Sequence, residues 1–271
     1  MPLRHAWLQQ RIEPVLDPDT PLIDPHHHLW LDHPIRHFPY PDSALAEDIA
    51  GGHRVLATVY LQCRAMYRTD GPEHLRPVGE TEWVESIAAR RAQGPGPAIG
   101  AGIVAFADLR LGDAVGEVLD AHMAASPRFR GIRNGSVWSD EPEIAGEGWM
   151  YDRGLLLDAA FRRGFAQLAP RGLSFDAWLF HPQIPELTDL ARAFPETTIV
   201  LDHLGAPLGR GSYANRGNEV FAEWRRSIAD LARCPNVHMK LGGTVMPMYG
   251  YDWERRPLPP SSDELLSLIH I

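Results

Sequence analysis

An α/β fold of the barrel kind is what this sequence predicts, and three observations carry the prediction. Apolar runs of strand length alternate with amphipathic stretches of helix length along 271 residues, the pattern of repeated βαβ units. The runs are nearly continuous, which suits parallel strands covered on both faces. Histidines collect where those runs end, and polar residues at the C-terminal ends of several strands mark the open mouth of a barrel.

The elements follow in order. PLIDPH (21–26) is the first strand, VLATVYLQ (55–62) the second, AIGAGIVAFAD (98–108) the third and FRGIRN (129–134) a short fourth. FDAWLFH (175–181), TTIVLDHLG (197–205) and NVHMKLGG (236–243) bring the count to seven. Between them, GETEWVESIAARRAQ (79–93) sets Trp83 and Ile87 on one stripe. LGDAVGEVLDAHMAA (111–125) repeats Val115, Val118, Leu119 and Met123. IPELTDLARAF (184–194) gathers Leu187, Leu190 and Ala191, and NEVFAEWRRSIADLAR (218–233) gathers Val220, Phe221, Trp224, Ile228 and Leu231. These are helical spacings. QGPGP (93–97) reads as a turn before the third strand, so residues 1–271 read as one barrel domain. The other architecture open to such alternation, a doubly wound sheet, wants a phosphate loop. The chain has no G-x-G-x-x-G, no Walker sequence and no G-x-S-x-G elbow.

Charge and composition narrow the partners. A formal net charge of −9 argues against a nucleic-acid or anionic-membrane surface. Two distant cysteines, Cys63 and Cys234, imply free thiols in a reducing compartment. The N-terminus lacks an apolar signal core, and no apolar run approaches the ~20 residues of a membrane span. The expectation is a cytoplasmic chain whose partner is a small-molecule substrate, with a homodimer as the only assembly envisaged.

DPHHHLW (24–30) raises the sharpest question. Side chains alternate along a strand, so His26 and His28 share one side while His27 faces away. Such a pair can bind one metal, or it can be a histidine-rich strand exit without a ligand. His203 falls where the sixth strand opens into its loop; Asp202 faces the other side and reads as a support for a ligand or for the fold, not as catalytic. His181 ends the fifth strand before Pro182, placed to ligate metal or to meet a substrate carboxylate. The Arg133 fork at the end of the fourth strand can grip a carboxylate or lactone oxygen, or form an ordinary ion pair. Gln62 is a weaker candidate of the same kind. Lys240, the only lysine, is a substrate contact or a buried ion pair. Trp30, Trp138, Trp149 and Trp178 serve mostly packing, with Trp30 taken as a pocket wall.

IDPHHHLW, FRGIRN, HPQIPELTDLARAFPETTIVLDHLG and NVHMKLGG together resemble the amidohydrolase-2 group. These are (β/α)8 TIM-barrel hydrolases, often metal-dependent, and include fuconolactonases and the pyrone-dicarboxylate and sulfomuconolactone hydrolases. The resemblance implies a metal-dependent hydrolase that opens a lactone or related cyclic ester by water attack. It implies His26, His28, His181 and His203 as metal ligands and His203, His181 and Arg133 as catalytic. It leaves Arg133, Gln62, Lys240 and Trp30 for the substrate. The ion would be zinc or manganese; some lactonases of the group work without one. Where members of the group often carry a histidine after that arginine, this chain has Asn134, which puts that contact in doubt. Two alternatives stay open: a decarboxylase or hydratase of an aromatic acid, and a non-catalytic barrel that binds a small acid.

The group's barrel has eight strands and usually a water-activating acid on the last, whereas seven strands are legible here. The expectation is a C-terminally truncated barrel. LSLIHI (266–271) is also what the transposase end of sequencing libraries encodes, CTG-TCT-CTT-ATA-CAC-ATC. Natural sequence is therefore expected to end near Leu265.

Overall fold

Seven strands form among the described residues, which in this computed structural model are 5–33, 38–145 and 150–269. They are β1 (Pro21–His27), β2 (Arg54–Leu61), β3 (Ala98–Ala105), β4 (Phe129–Arg133), β5 (Ser174–Ala177), β6 (Ile199–Leu201) and β7 (Val237–Met239). The helices are α1 (His5–Leu8), α2 (Asp42–Ile49), α3 (Val78–Arg91), α4 (Val115–Ala125), α5 (Pro142–Ala145), α6 (Ala159–Phe165), α7 (Ile184–Ala193), α8 (Gly217–Leu231) and α9 (Ser262–Ile269). Trp149 and the last two residues of the expected foreign tail lie outside the described residues. No helix among the described residues is long and apolar enough to cross a membrane.

The chain divides into two compact units. The first is built mainly from Pro14–Asn134 and Arg163–Ser174. Its strands β1 to β4 pair in parallel in chain order, with His27 beside Tyr60, Leu61 beside Val104 and Ala105 beside Ile132. Parallel strands joined by crossover helices put all their C-terminal ends at one edge. Leu29, Leu45, Tyr60, Val84, Ile87, Ile99 and Ile103 form one buried cluster. Here the β-branched runs and the apolar stripe of α3 meet, and α3 packs on β3.

The second unit takes Leu3–Glu13, Gly135–Arg162 and Phe175–Ile271. In it β5, β6 and β7 pair in parallel, Ala177 beside Leu201 and Leu201 beside Met239. Helices α7 and α8 pack on each other, as their apolar stripes require. A second cluster gathers Val137, Ile144, Phe180, Ala206, Leu208 and Tyr249.

The strands in this unit end earlier than the apolar runs imply. β5 stops at Ala177, and His181 lies on a short 3-10 turn, His181–Gln183, that leads into α7. β6 stops at Leu201 because His203 and Leu204 take left-handed φ angles of 54° and 58°, which no ladder accommodates. β7 stops at Met239, so Lys240 follows it. In the first unit the helix expected from residue 111 begins at Val115. Gly112, at φ 59° and ψ −134°, breaks the run between a 3-10 turn and α4. Sequence reasoning missed α1, α2, α5 and α6, all of them short.

Candidate active site

In the first unit His26 and His28 do share a side. Their Nε2 atoms lie 3.3 Å apart with the rings edge to face. His27 points the opposite way, is buried, and binds the Thr58 hydroxyl at 2.8 Å. Burial drives the His27 pKa down to about 4, so this ring is a neutral core group. His28 Nδ1 sits 2.8 Å from the Leu61 carbonyl oxygen. A carbonyl only accepts, so Nδ1 carries the proton and Nε2 presents its lone pair. The Asp24 carboxylate accepts the His26 backbone N–H at 3.0 Å and holds the turn of the strand.

Arg133 reaches the same place. Its Nη1 is 3.3 Å from His26 Nε2, and its Nη2 donates to the Gln62 carbonyl. The Gln62 side chain donates back to the Arg133 carbonyl at 3.4 Å, so Gln62 orients the arginine. Arg133 is only 7% exposed. Asn134 accepts the Leu109 N–H through Oδ1 at 3.4 Å.

The tautomers now decide what the pair can hold. Arg133 can only donate, so its contact asks His26 Nε2 to be a lone pair, and His28 Nε2 is one already. The two Nε2 atoms, 3.3 Å apart, have the spacing of two nitrogen ligands of one ion. Zinc–nitrogen bonds of about 2.1 Å in a tetrahedral site put two ligand nitrogens about 3.4 Å apart. The Leu61 carbonyl behind His28 is the usual outer partner of a ligating imidazole. This donor pair fits a divalent ion.

The second unit assembles different pieces. His203 stands edge-on to Trp178, ring centres 5.0 Å apart, and its carbonyl accepts from the Tyr249 hydroxyl. A side chain at Gly243 would come within 2.6 Å of His203 Nδ1, so that glycine lets the ring lie on the backbone. His181 is fully buried, and its Nδ1 accepts the Leu208 N–H at 3.2 Å. That bond leaves the proton on Nε2, the tautomer of a hydrogen-bond donor and not of a metal ligand. Nε2 has no hydrogen-bond partner among the described residues. Burial lowers the His181 pKa to about 4, so it stays neutral. A cleft opens in this unit between Trp138, Arg153, Gln183, Glu186 and Tyr213, and Tyr213 meets the His181 ring edge-on at 5.2 Å.

Two expected substrate contacts are taken up by the fold. Lys240 Nζ binds Asp176 at 2.5 Å and Asp202 at 3.1 Å, all three side chains nearly buried. The ion-pair alternative for the lone lysine is thus the one observed, with Asp202 as one of its partners. Trp30 is buried, donates its indole N–H to the Phe38 carbonyl, and packs on His33, Phe38 and Tyr40. This differs from the pocket-wall assignment: among the described residues Trp30 packs inside an aromatic cluster. Sequence reasoning missed Asp176, Tyr249 and the buried Glu80, whose partners lie far away along the chain.

Residues 23–270 match the amidohydrolase family. The chain belongs to that family. The Sinorhizobium fredii protein y4mH is 29% identical over 92% of this chain and 81% of its own length. An L-fucono-1,5-lactonase of Burkholderia ambifaria is 31% identical over 66% of this chain and 59% of its own length. An amidohydrolase from Burkholderia multivorans, solved with bound zinc, aligns at a TM-score of 0.64 and 26% identity, covering 91% of this chain and 76% of that one. The amidohydrolase described here is therefore an α/β chain of the TIM-barrel class with seven strands among its described residues, and a hydrolase by family.

Proposed function

We propose that this amidohydrolase opens a lactone or related cyclic ester at a divalent-ion site whose first two ligands are His26 and His28. The observation that carries the reading is the spacing of the His26 and His28 Nε2 atoms, 3.3 Å apart as two ligands of one ion would be, with the Arg133 guanidinium beside them. The lactonase relative from Burkholderia ambifaria supports the ester class, and the zinc-bound amidohydrolase supports a divalent ion such as zinc; manganese is the other candidate. An ion so held supplies Lewis acidity to a carbonyl and to water. The protein's own groups do the rest. The Arg133 fork faces the oxygen that gains charge as the carbonyl is attacked, and its rigid geometry is set by Gln62. The family resemblance alone supports catalytic roles for His181, as donor to a substrate oxygen, and His203, as acceptor of the proton taken from water. Water adds across the acyl–oxygen bond: hydroxyl to the carbonyl carbon, proton to the ring oxygen, giving a hydroxy acid. We place the activity in the cytoplasm, in keeping with the free thiols of Cys63 and Cys234.

The test is acid release from a panel of sugar lactones and muconolactones, read with a pH indicator, before and after loading with zinc or manganese. The reading expects acid from at least one lactone, dependent on the ion and abolished in His26→Ala. Carbon dioxide release, or loss of aromatic absorbance without acid from any lactone, would replace it with the decarboxylase or hydratase alternative.

A further inference from the structure

Glu80 is 1% exposed, yet nothing in the proposed reaction uses it. It lies in the first turn of α3. One oxygen, Oε1, accepts three hydrogen bonds: from the Tyr60 hydroxyl at 2.7 Å, the Cys63 N–H at 2.8 Å and the Ala65 N–H at 3.2 Å. Burial raises its pKa, against those three donors and the charge of Arg133. Oε2 has no hydrogen-bond partner among the described residues. A buried carboxyl is costly and α3 does not need one, so the site of its work is the segment it binds.

That segment is the exit from β2. Its carbonyls fan outward: Leu61 to His28 Nδ1, Gln62 to Arg133 Nη2, and Cys63 to His33 Nε2 at 2.9 Å. The chain then passes through left-handed conformations at Arg64 (φ 64°) and Met66 (φ 56°), which non-glycine residues adopt at a cost. The N–H groups of Cys63 and Ala65 that end on Glu80 are what pin this course. The neighbouring Gly79 lets α3 come close: a side chain there would meet the Arg68 nitrogen at 2.6 Å and the Met66 carbonyl at 2.8 Å.

We infer that Glu80 is a positioning residue, which by fixing the post-β2 turn aims the Leu61 carbonyl at His28 and the Gln62 carbonyl at Arg133. Glu80 thereby sets both the His28 tautomer and the direction of the guanidinium. The role rests on the functional reading for its catalytic consequence but not for its structural one, and the experiment separates the two.

The variants are Glu80→Gln, which keeps an acceptor oxygen, Glu80→Asp, which withdraws it by one methylene, and Glu80→Leu, which removes it. The first readout is nitrogen-15 NMR of the histidine rings in the metal-free full chain, with the His28 signal assigned through His28→Gln. Wild type and Glu80→Gln should show His28 protonated on Nδ1; Glu80→Leu and Glu80→Asp should show mixed tautomers. The second is cobalt affinity and lactone turnover, which should fall about 10- to 100-fold in Glu80→Leu, as for outer-shell partners generally, with Glu80→Gln recovering most of the loss. Should Glu80→Leu not fold, Glu80→Asp carries both readouts. An unchanged His28 tautomer in folded Glu80→Leu or Glu80→Asp overturns the inference. If the tautomer shifts as stated but the wild type neither binds cobalt nor opens a lactone, the functional reading fails and the structural role of Glu80 stands.

Discussion

His26 Nε2 lies 3.3 Å from both the Arg133 guanidinium and the His28 ring. Under the proposed function the two imidazoles would share an ion and Arg133 would serve the substrate. Arg133→Lys should lower kcat/KM by about 100-fold, a typical loss for a donor aimed at developing charge, because lysine lacks the planar fork. Circular dichroism should show the fold kept; unchanged steady-state kinetics would return Arg133 to a structural role. Buried histidines make a separate forecast. His27, His122 and His181 all have pKa values lowered to about 4 by burial, below the ordinary 6.5. The unfolded chain therefore takes up protons first as pH drops. Stability should be level above pH 6.5 and fall between 6.5 and about 4, by as much as ~3 kcal/mol for each ring. Urea titrations across that range check it, and a flat profile would show that these rings are not buried. The shared side of His26 and His28 was legible because strand alternation is local. The roles of His181 and Glu80 were not, since both depend on backbone N–H groups of distant segments.

Strands were legible from apolar runs, but their ends were not. An apolar run continues past β5 and β6 because Leu179, Phe180 and Leu204 are buried in loops, so hydrophobicity alone cannot mark where pairing stops. The left-handed turn at His203 and Leu204 leaves no sequence signal beyond Gly205. Close approach of backbones does leave one, in glycine. In β4, a Cβ on Gly131 would lie 2.2 Å from the Ser174 hydroxyl and 2.4 Å from the Ser174 carbonyl oxygen. The side chain could rotate away, but the carbonyl could not. Gly131→Ala should destabilise the chain by roughly 1–3 kcal/mol, the usual cost of overpacking, and disturb the neighbouring Arg133. Denaturant midpoints test this; a variant as stable as wild type would mean that the two segments are farther apart.

At the scale of the whole chain, edges matter. β1 pairs only with β2 and β7 only with β6 among the described residues. Ile23 on β1 is 63% exposed, and Leu241 just after β7 is 59% exposed. Unpaired backbone beside exposed apolar side chains is an invitation to association. Residues 1–271 expressed alone should bind a hydrophobic dye and grow in apparent mass with concentration in light scattering; a monomer that excludes the dye would count against exposed edges. The central claim, however, is the ion between His26 and His28. Anomalous diffraction at the zinc edge from zinc-soaked crystals of the chain tests it most directly. The expected result is one strong peak within about 2.1 Å of both Nε2 atoms. Zinc bound elsewhere, with the histidine pair empty, would contradict the account.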